Sequence, residues 1–362
     1  MLIGEVSGGP LVRVSDGEQS WEGTIVSLNK ASCSLMDRQA RLHHLNVSDL
    51  KSFEKLSDRY TPHSTGTFRQ ELTEEFRSGY EIAGTTHYLV CAPSGRASRY
   101  AQLFESIYRD VEQFYRVRGF RVTTPDVPLV AVVFRSQQEF VQYCVSDQVR
   151  PSPGLMGYYS LLTNRVALFD DSSLLSSLDI DRLNRRDDSG TIAASAAISG
   201  DTANTVIHET THQVGYNIGA HSRLGGTPVW VVEGLATVLE PAGMRKKQGR
   251  QLVSDRVNSE RSDWFSQRHR PTREAGSLAK LIASDEYFFQ QTLNSYSEAW
   301  AFSFFLLENA AHRQNFVRYL QKIGQRDPLA AYSANDRLSD FQACFGDISR
   351  LEVEFLRFMD RR

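Results

Sequence analysis

Val206-Ile207-His208-Glu209-Thr210-Thr211-His212-Gln213 is the stretch around which this chain is organised. Two histidines four residues apart on an α-helix project from one face, a turn apart, so both imidazoles can reach one metal ion. Zinc suits such a pair, because it takes nitrogen and carboxylate ligands in a tetrahedral arrangement and, in catalytic sites, keeps a position for water. Glu209 follows the first histidine by one residue, about 100° around the helix. A carboxylate there sits beside the ion without coordinating it and can take a proton from water, which is the residue pattern of metal-assisted hydrolysis. Asp201 or Thr202, after Gly200, is placed to cap the helix, and Gly219 stands where it would stop. Ala203, Val206, Ile207 and Val214 give it an apolar face. The competing reading is an amphipathic helix whose two histidines are merely exposed.

The 362 residues exceed one typical domain, and 41% hydrophobic with 23% charged residues is an ordinary globular composition. A formal net charge of -2, with no long basic segment, gives no reason to expect nucleic acid or an anionic membrane as partner. The longest strongly apolar run, Pro128 to Phe134, is too short to span a bilayer. Met1 to Val6 lacks the features of a secretory signal, so the expectation is a cytoplasmic chain, or an exported one if the start is trimmed or misassigned. Cys33, Cys91, Cys144 and Cys344 are far apart, form no C-x-x-C pair, and read as free, mostly buried thiols.

The expected fold class is α+β, with a small SH3-like β-barrel over residues 1–55, a polar connector over 56–79 and a larger domain over 80–362. In the first 50 residues, Leu11–Val14, Trp21–Leu28, Ser32–Leu35 and Arg41–Val47 read as short strands between turn signals. Such a barrel binds a protein partner or docks on the larger domain. His43 and His44 are adjacent on a strand, face opposite ways and make a poor metal pair. Residues 51–79 are polar, with a helix near Phe68–Phe76. Tyr80–Ala83 and His87–Ala92 suggest a hairpin, with the lone His87 read as structural. Ala97–Arg116 is a long amphipathic helix, Leu129–Phe134 a buried strand, and Gln137–Cys144 a short helix. Tyr158–Phe169 reads as a second hairpin, turning near Thr163 and Asn164, whose edge an extended peptide could join as another strand. A Ser, Asp and Arg-rich loop over 170–200 leads to the histidine helix. Beyond it, Thr227 as N-cap and Pro228 at the first position start a helix that Pro241 stops. Residues 244–274 read as a mobile basic loop, with Arg245, Lys246, Lys247 and Arg250 close together. Helices follow at Leu278–Ser284, Tyr296–Asn309, Arg313–Ile323, Leu338–Phe345 and Ile348–Met359.

Two histidines leave zinc one protein ligand short. A third histidine six residues after His212 would complete one extended motif, but Ile218 stands there. His221 is near in sequence and lies in a loop. Glu233 lies on a separately capped second helix, after a connection long enough to let that helix face the first, and two histidines with a glutamate are an established catalytic zinc set. Glu233, Thr237 and Glu240, at i, i+4 and i+7, also fit the wet side of an amphipathic helix. Spacing leaves both readings of Glu233 open.

His208-Glu209-x-x-His212 followed by Trp230-x-x-Glu233-Gly234-x-Ala236 resembles the gluzincin clan, the peptidase MA-like metallopeptidases. From about Tyr80 to Phe358 the chain is similar to an uncharacterised bacterial domain family of that clan. Gly119-Phe120, Gly157-Tyr158-Tyr159, Thr163-Asn164-Arg165-Val166 and Tyr296-Ser297-Glu298-Ala299-Trp300-Ala301 carry that likeness. The resemblance implies a gluzincin-like domain with an α/β half over 80–200 and a helical half over 201–362. It implies Zn²⁺ held by His208, His212 and Glu233, with Glu209 as general base and Tyr296 as donor to the oxyanion. Thr237 departs from the pattern, since some gluzincins carry there an aspartate that orients a ligand histidine, and Glu240 is the candidate for that role.

The expected function is therefore a zinc-dependent hydrolase, a metallopeptidase acting on an extended peptide or protein substrate. The alternative is a non-catalytic scaffold with a structural zinc and a barrel that recruits a partner.

Overall fold

Buried Val12 and Val14 alternate with exposed Arg13 along the first strand, and that period-two pattern packs one face of a five-stranded antiparallel sheet. The structure, a computed structural model, describes residues 9–76, 78–152, 154–170, 200–245 and 252–362. The first sheet comprises β1 (Leu11–Ser15), β2 (Ser20–Leu28), β3 (Ser32–Asp37), β4 (Leu42–Asn46) and β5 (Ser52–Ser57), in the order β4-β3-β2-β1-β5. Side-chain acceptors close its turns. Asn29 Oδ1 accepts from the N–H groups of Ala31 and Ser32, and Asp37 Oδ1 from those of Gln39 and Arg41. A 3₁₀ turn, Val47–Asp49, lets β5 return and pair with β1. The expected N-terminal strands are thus present, as one antiparallel sheet. Its last strand falls in the stretch read only as polar, 51–79, because β5 is exposed at every position but Leu56 and shows no alternation. His43 bonds Asp37 and His44 bonds Ser34, each locally.

The second sheet is mixed, in the order β6-β7-β8-β10-β9, from β6 (Tyr80–Gly84), β7 (Tyr88–Pro93), β8 (Leu129–Phe134), β9 (Gly157–Tyr159) and β10 (Arg165–Phe169). β7, β8 and β10 are parallel, and all six residues of β8 are buried. Such a strand reads as an unbroken apolar run because both its faces are covered. Helices α1 (Thr65–Glu75) and α3 (Gln137–Ser146) contribute Phe68, Leu72, Phe140 and Cys144 to the core on one face. Helix α2 (Ala97–Val117) carries Glu105, which takes bonds from Thr85, from the His87 backbone and from the His87 ring. Burial pushes that carboxyl up, but the bonds to His87 and Thr85 outweigh it and hold it below its usual range. His87 is structural, stacked on Tyr108 with ring centroids 3.9 Å apart. The hairpin β9–β10 forms the sheet edge, and Asn164 takes the left-handed conformation at its turn, φ 60°.

The remaining helices are α4 (Gly200–Asn217), α5 (Val229–Leu239), α6 (Ala242–Arg245), α7 (Ser259–Trp264), α8 (Ser277–Ala283), α9 (Asp285–Gln290), α10 (Thr292–Glu308), α11 (Ala310–Gly324), α12 (Ala334–Phe345) and α13 (Ile348–Met359). The α+β class holds: sheets come first and a mostly helical part follows. Helical turns also occupy Val253–Arg256 and Phe265–Thr272, where an irregular basic loop was expected. Lys246, Lys247 and Arg250 lie outside the described residues, as does the expected loop from 171 to 199. Arg245 is buried, donates to the carbonyls of Leu239 and Glu240, and is pushed down to about 10 by desolvation. It is a helix-end cap, which charge counting along the sequence does not distinguish from a solvated run.

Trp230 of α5 lies against Phe302, Phe316, Tyr319 and Phe341. Glu298 of α10, 1% exposed, pairs with His269 and Arg273, and Arg273 reaches on to Glu352 of α13. The chain divides into two compact units: one holds both sheets and α4 as far as Gln213, the other Asp110–Thr123 and the chain from Val214 on. Among the described residues no helix is long and apolar enough to cross a membrane. Cys33, Cys91 and Cys144 are free and buried, and Cys344 is free and half-buried.

Candidate metal centre

Helix α4 buries an unusually polar face. Thr210 and Thr211, 0% and 2% exposed, return their hydroxyls to the carbonyls of Val206 and Ile207, so neither brings an unpaired donor into the core. Gln213, also fully buried, donates through Nε2 to the carbonyl of Val130 in β8 at 2.9 Å and to that of Asn164 at 2.8 Å. One turn earlier, Glu209 accepts at Oε2 from the backbone N–H of Tyr159 at 2.8 Å. The Tyr159 hydroxyl closes the ring of contacts on Asn164 Oδ1, also at 2.8 Å. Two residues of the helix, a turn apart, thus hold both the strand and the turn of the edge hairpin. Nearby, burial raises the carboxyl of Asp147, which accepts from the Tyr158 hydroxyl.

The histidines project as their spacing requires. Their Nε2 atoms lie 3.0 Å apart, with ring planes at 86°. One ligand atom each from His208, His212 and Glu233 falls within 4.8 Å of the others, so the three expected ligands form a group able to hold a metal ion. His212 is buried, while His208 and Glu233 are half-buried.

Glu233 owes its place to α5. That helix does not start as expected: Pro228 is the N-cap, and the side chain that receives the Val229 N–H is Asp285, 2.9 Å away and 56 residues on. Arg337 holds Asp285 through both guanidinium nitrogens. Local rules favour Thr227 as cap, but a tertiary carboxylate takes the role because it also adds charge at the helix start. Gly234 then permits a close crossing with α10, since a Cβ there would stand 2.6 Å from the Ala299 carbonyl oxygen and 2.3 Å from Ser303 Oγ. Trp230, Gly234 and Ala236 are therefore packing residues, and Glu233 is the member of that motif left to act as a ligand.

The other candidates resolve differently. His221 is buried beside Tyr115 and Tyr216, its Nε2 3.4 Å from the Tyr115 hydroxyl. Gly215 leaves room for this ring, as a Cβ there would come within 2.9 Å of it. His221 is outside the metal-competent group. Thr237 turns its hydroxyl back onto the carbonyls of Glu233 and Gly234. Glu240 accepts from Asn258 at 2.6 Å, which ties α5 to the start of α7. Tyr296 is half-buried on α10, its ring edge-on to Phe288 and under the Arg261 guanidinium.

Sequence reasoning missed Gln213, Asn164 and Asp285 as determinants of the site. A buried amide directly after the second histidine and an Asn at a hairpin turn are visible signals, but their partners lie 83 and 49 residues from Gln213. No curated protein matches the chain. Residues 202–330, which include all three members of the metal-competent group and Tyr296, match the model of an uncharacterised family, described as Protein of unknown function (DUF1570).

Proposed function

We infer that this protein is a zinc-dependent hydrolase, a metallopeptidase of gluzincin type. The observation that carries the reading is the grouping of His208, His212 and Glu233 with Glu209 held beside them on the same helix. The donor set fits zinc. Ligands at about 2.0–2.2 Å in a tetrahedral site stand roughly 3.3 Å from one another, close to the 3.0 Å between the two imidazole nitrogens. The order H-E-x-x-H, then W-x-x-E-G-x-A, agrees with the clan's pattern.

His208 and His212 would hold the ion through Nε2 and Glu233 through a carboxylate oxygen. When bound, zinc supplies Lewis acidity, which polarises a carbonyl and lowers the pKa of water toward about 7. Glu209 accepts the proton of the attacking water and passes it to the leaving nitrogen. The Tyr159 N–H at Oε2 holds that carboxylate in orientation. The Tyr296 hydroxyl donates to the oxyanion of the substrate carbonyl. An extended peptide lies along the hairpin β9–β10, beside the strand that supplies the Tyr159 N–H.

Metal analysis of the purified chain, joined to cleavage of a broad panel of quenched peptides with and without chelator, tests this. One zinc per chain and chelator-sensitive cleavage are expected. Stoichiometric zinc with no cleavage across the panel would favour a structural metal in a binding protein.

A further inference from the structure

A cavity of about 740 Å³ opens at the carboxyl ends of the parallel strands β7, β8 and β10, lined among others by Ser94, Arg96, Arg135, Ser136, Gln137 and Phe169. Ligands of open α/β sheets bind at this end of the strands, where the connections to the following helices leave a crevice. The volume lies within the usual range for small-molecule sites.

Both arginines are braced. Arg96 Nη1 donates to Asp170 at 2.9 Å, and the Asp170 side chain is 0% exposed. Arg135 bonds Glu139 through Nε at 2.8 Å and the Ser78 carbonyl through Nη2 at 3.0 Å, with its guanidinium over the Tyr80 ring. These partners fix each guanidinium without using all five of its N–H donors. The start of α2, next to Arg96, is already closed, because Glu81 accepts from the Ala97 N–H. The start of α3 is open. Ser136 Oγ takes the Glu139 N–H, whereas the backbone N–H groups of Gln137 and Gln138, the Gln137 amide and the Ser94 hydroxyl have no hydrogen bond among the described residues. Asp170 and Glu139 balance the arginine charges formally, so what the cavity offers is a set of directed donors and the positive end of α3.

We propose that this cavity binds a small molecule through a phosphate or carboxylate group, held between Arg96, Arg135 and the first turn of α3. Apolar Met156 and Phe169 in the lining accommodate the rest of the molecule. This site stands independently of the hydrolase reading.

Titration calorimetry of the full chain with inorganic phosphate and, separately, with citrate tests it. Saturable one-site binding of at least one probe is expected, and which probe binds more tightly distinguishes a phosphate from a carboxylate ligand. Gln137→Glu places a carboxylate at the mouth and breaks no hydrogen bond of the structure. It should weaken binding at least ten-fold while leaving the thermal midpoint in place. Arg135→Gln should weaken it comparably. Absence of saturable binding by both probes, or wild-type affinity in Gln137→Glu, would overturn the proposal, and the second criterion holds even if Arg135→Gln fails to fold.

Discussion

The backbone N–H of Tyr159 meets Oε2 of Glu209 at 2.8 Å, so the acid beside the paired histidines is aimed by an edge strand 50 residues away in sequence. The acid's direction is set by main chain, and main-chain donors survive side-chain substitution. Glu209→Gln keeps an acceptor for that N–H. It should bind zinc and melt as wild type does, yet lose about 10²–10⁴-fold in peptide hydrolysis, the usual worth of a positioned general base. Unchanged turnover in a quenched-peptide assay would exclude Glu209 as the base.

Glu233→Gln separates ligand from packing. Trp230, Gly234 and Ala236 hold α5 in the core, so the variant should fold with near-wild-type circular dichroism. Its zinc affinity should fall by more than the roughly 10–100-fold that loss of an outer-shell partner costs. Stoichiometric zinc in the purified variant would remove Glu233 from the ligand set.

Gln213→Leu leaves the buried carbonyls of Val130 and Asn164 without their side-chain donor. With roughly 1–3 kcal/mol for each of the two buried groups left unpaired, the expected loss is about 2–6 kcal/mol, read from urea unfolding. A loss under about 0.5 kcal/mol, the size of an ordinary surface change, would show that the amide does not brace the hairpin.

Gly234→Ala forces α5 away from α10, because the new methyl would meet the Ala299 carbonyl and Ser303 Oγ below contact distance. Overpacking of this kind costs about 1–3 kcal/mol. Zinc affinity should weaken as well, since Glu233 moves with the helix. A variant as stable as wild type, with unaltered metal content, would contradict the close crossing.

The buried cluster around Arg273 sets an acid limit. Burial pushes the Glu352 carboxyl up, but the N–H groups of Leu278 and Gly276 and the Arg273 guanidinium outweigh this and hold it below its usual range. A carboxyl lowered in the folded state stabilises the fold above its unfolded pKa of about 4.5 and loses that contribution as pH falls through the folded value. Glu352→Gln should therefore be less stable than wild type at neutral pH, and the gap should narrow below about pH 4.5 in thermal melts run across pH. A constant gap at every pH would place the effect in packing alone.

The two metal segments were legible in the sequence because their signals are local: 3.6-residue spacing puts His208 and His212 on one face, and the Pro228 and Pro241 punctuation brackets α5. The same holds for β8, whose apolar run needs no partner to be read, and for the hairpin with its turn at Asn164. β5 was not legible, as its exposed residues carry no alternation and its pairing with β1 spans about 40 residues of sequence. Nor was the choice between His221 and Glu233 on spacing alone, because it depends on which side chain a second helix turns toward the first.

By itself, then, the sequence determined the helix that carries the paired histidines, the acid next to the first of them and the order of strands before helices, all properties of residues within one turn or one strand of each other. Tertiary structure alone decided the rest. Asp285 caps α5 from a distant helix, Gly234 sets the crossing with α10, and Gln213 and Tyr159 lock the edge hairpin to α4. Each of these depends on a hydrogen-bond partner or a contact surface far away along the chain, and only the folded backbone brings such partners within about 3 Å.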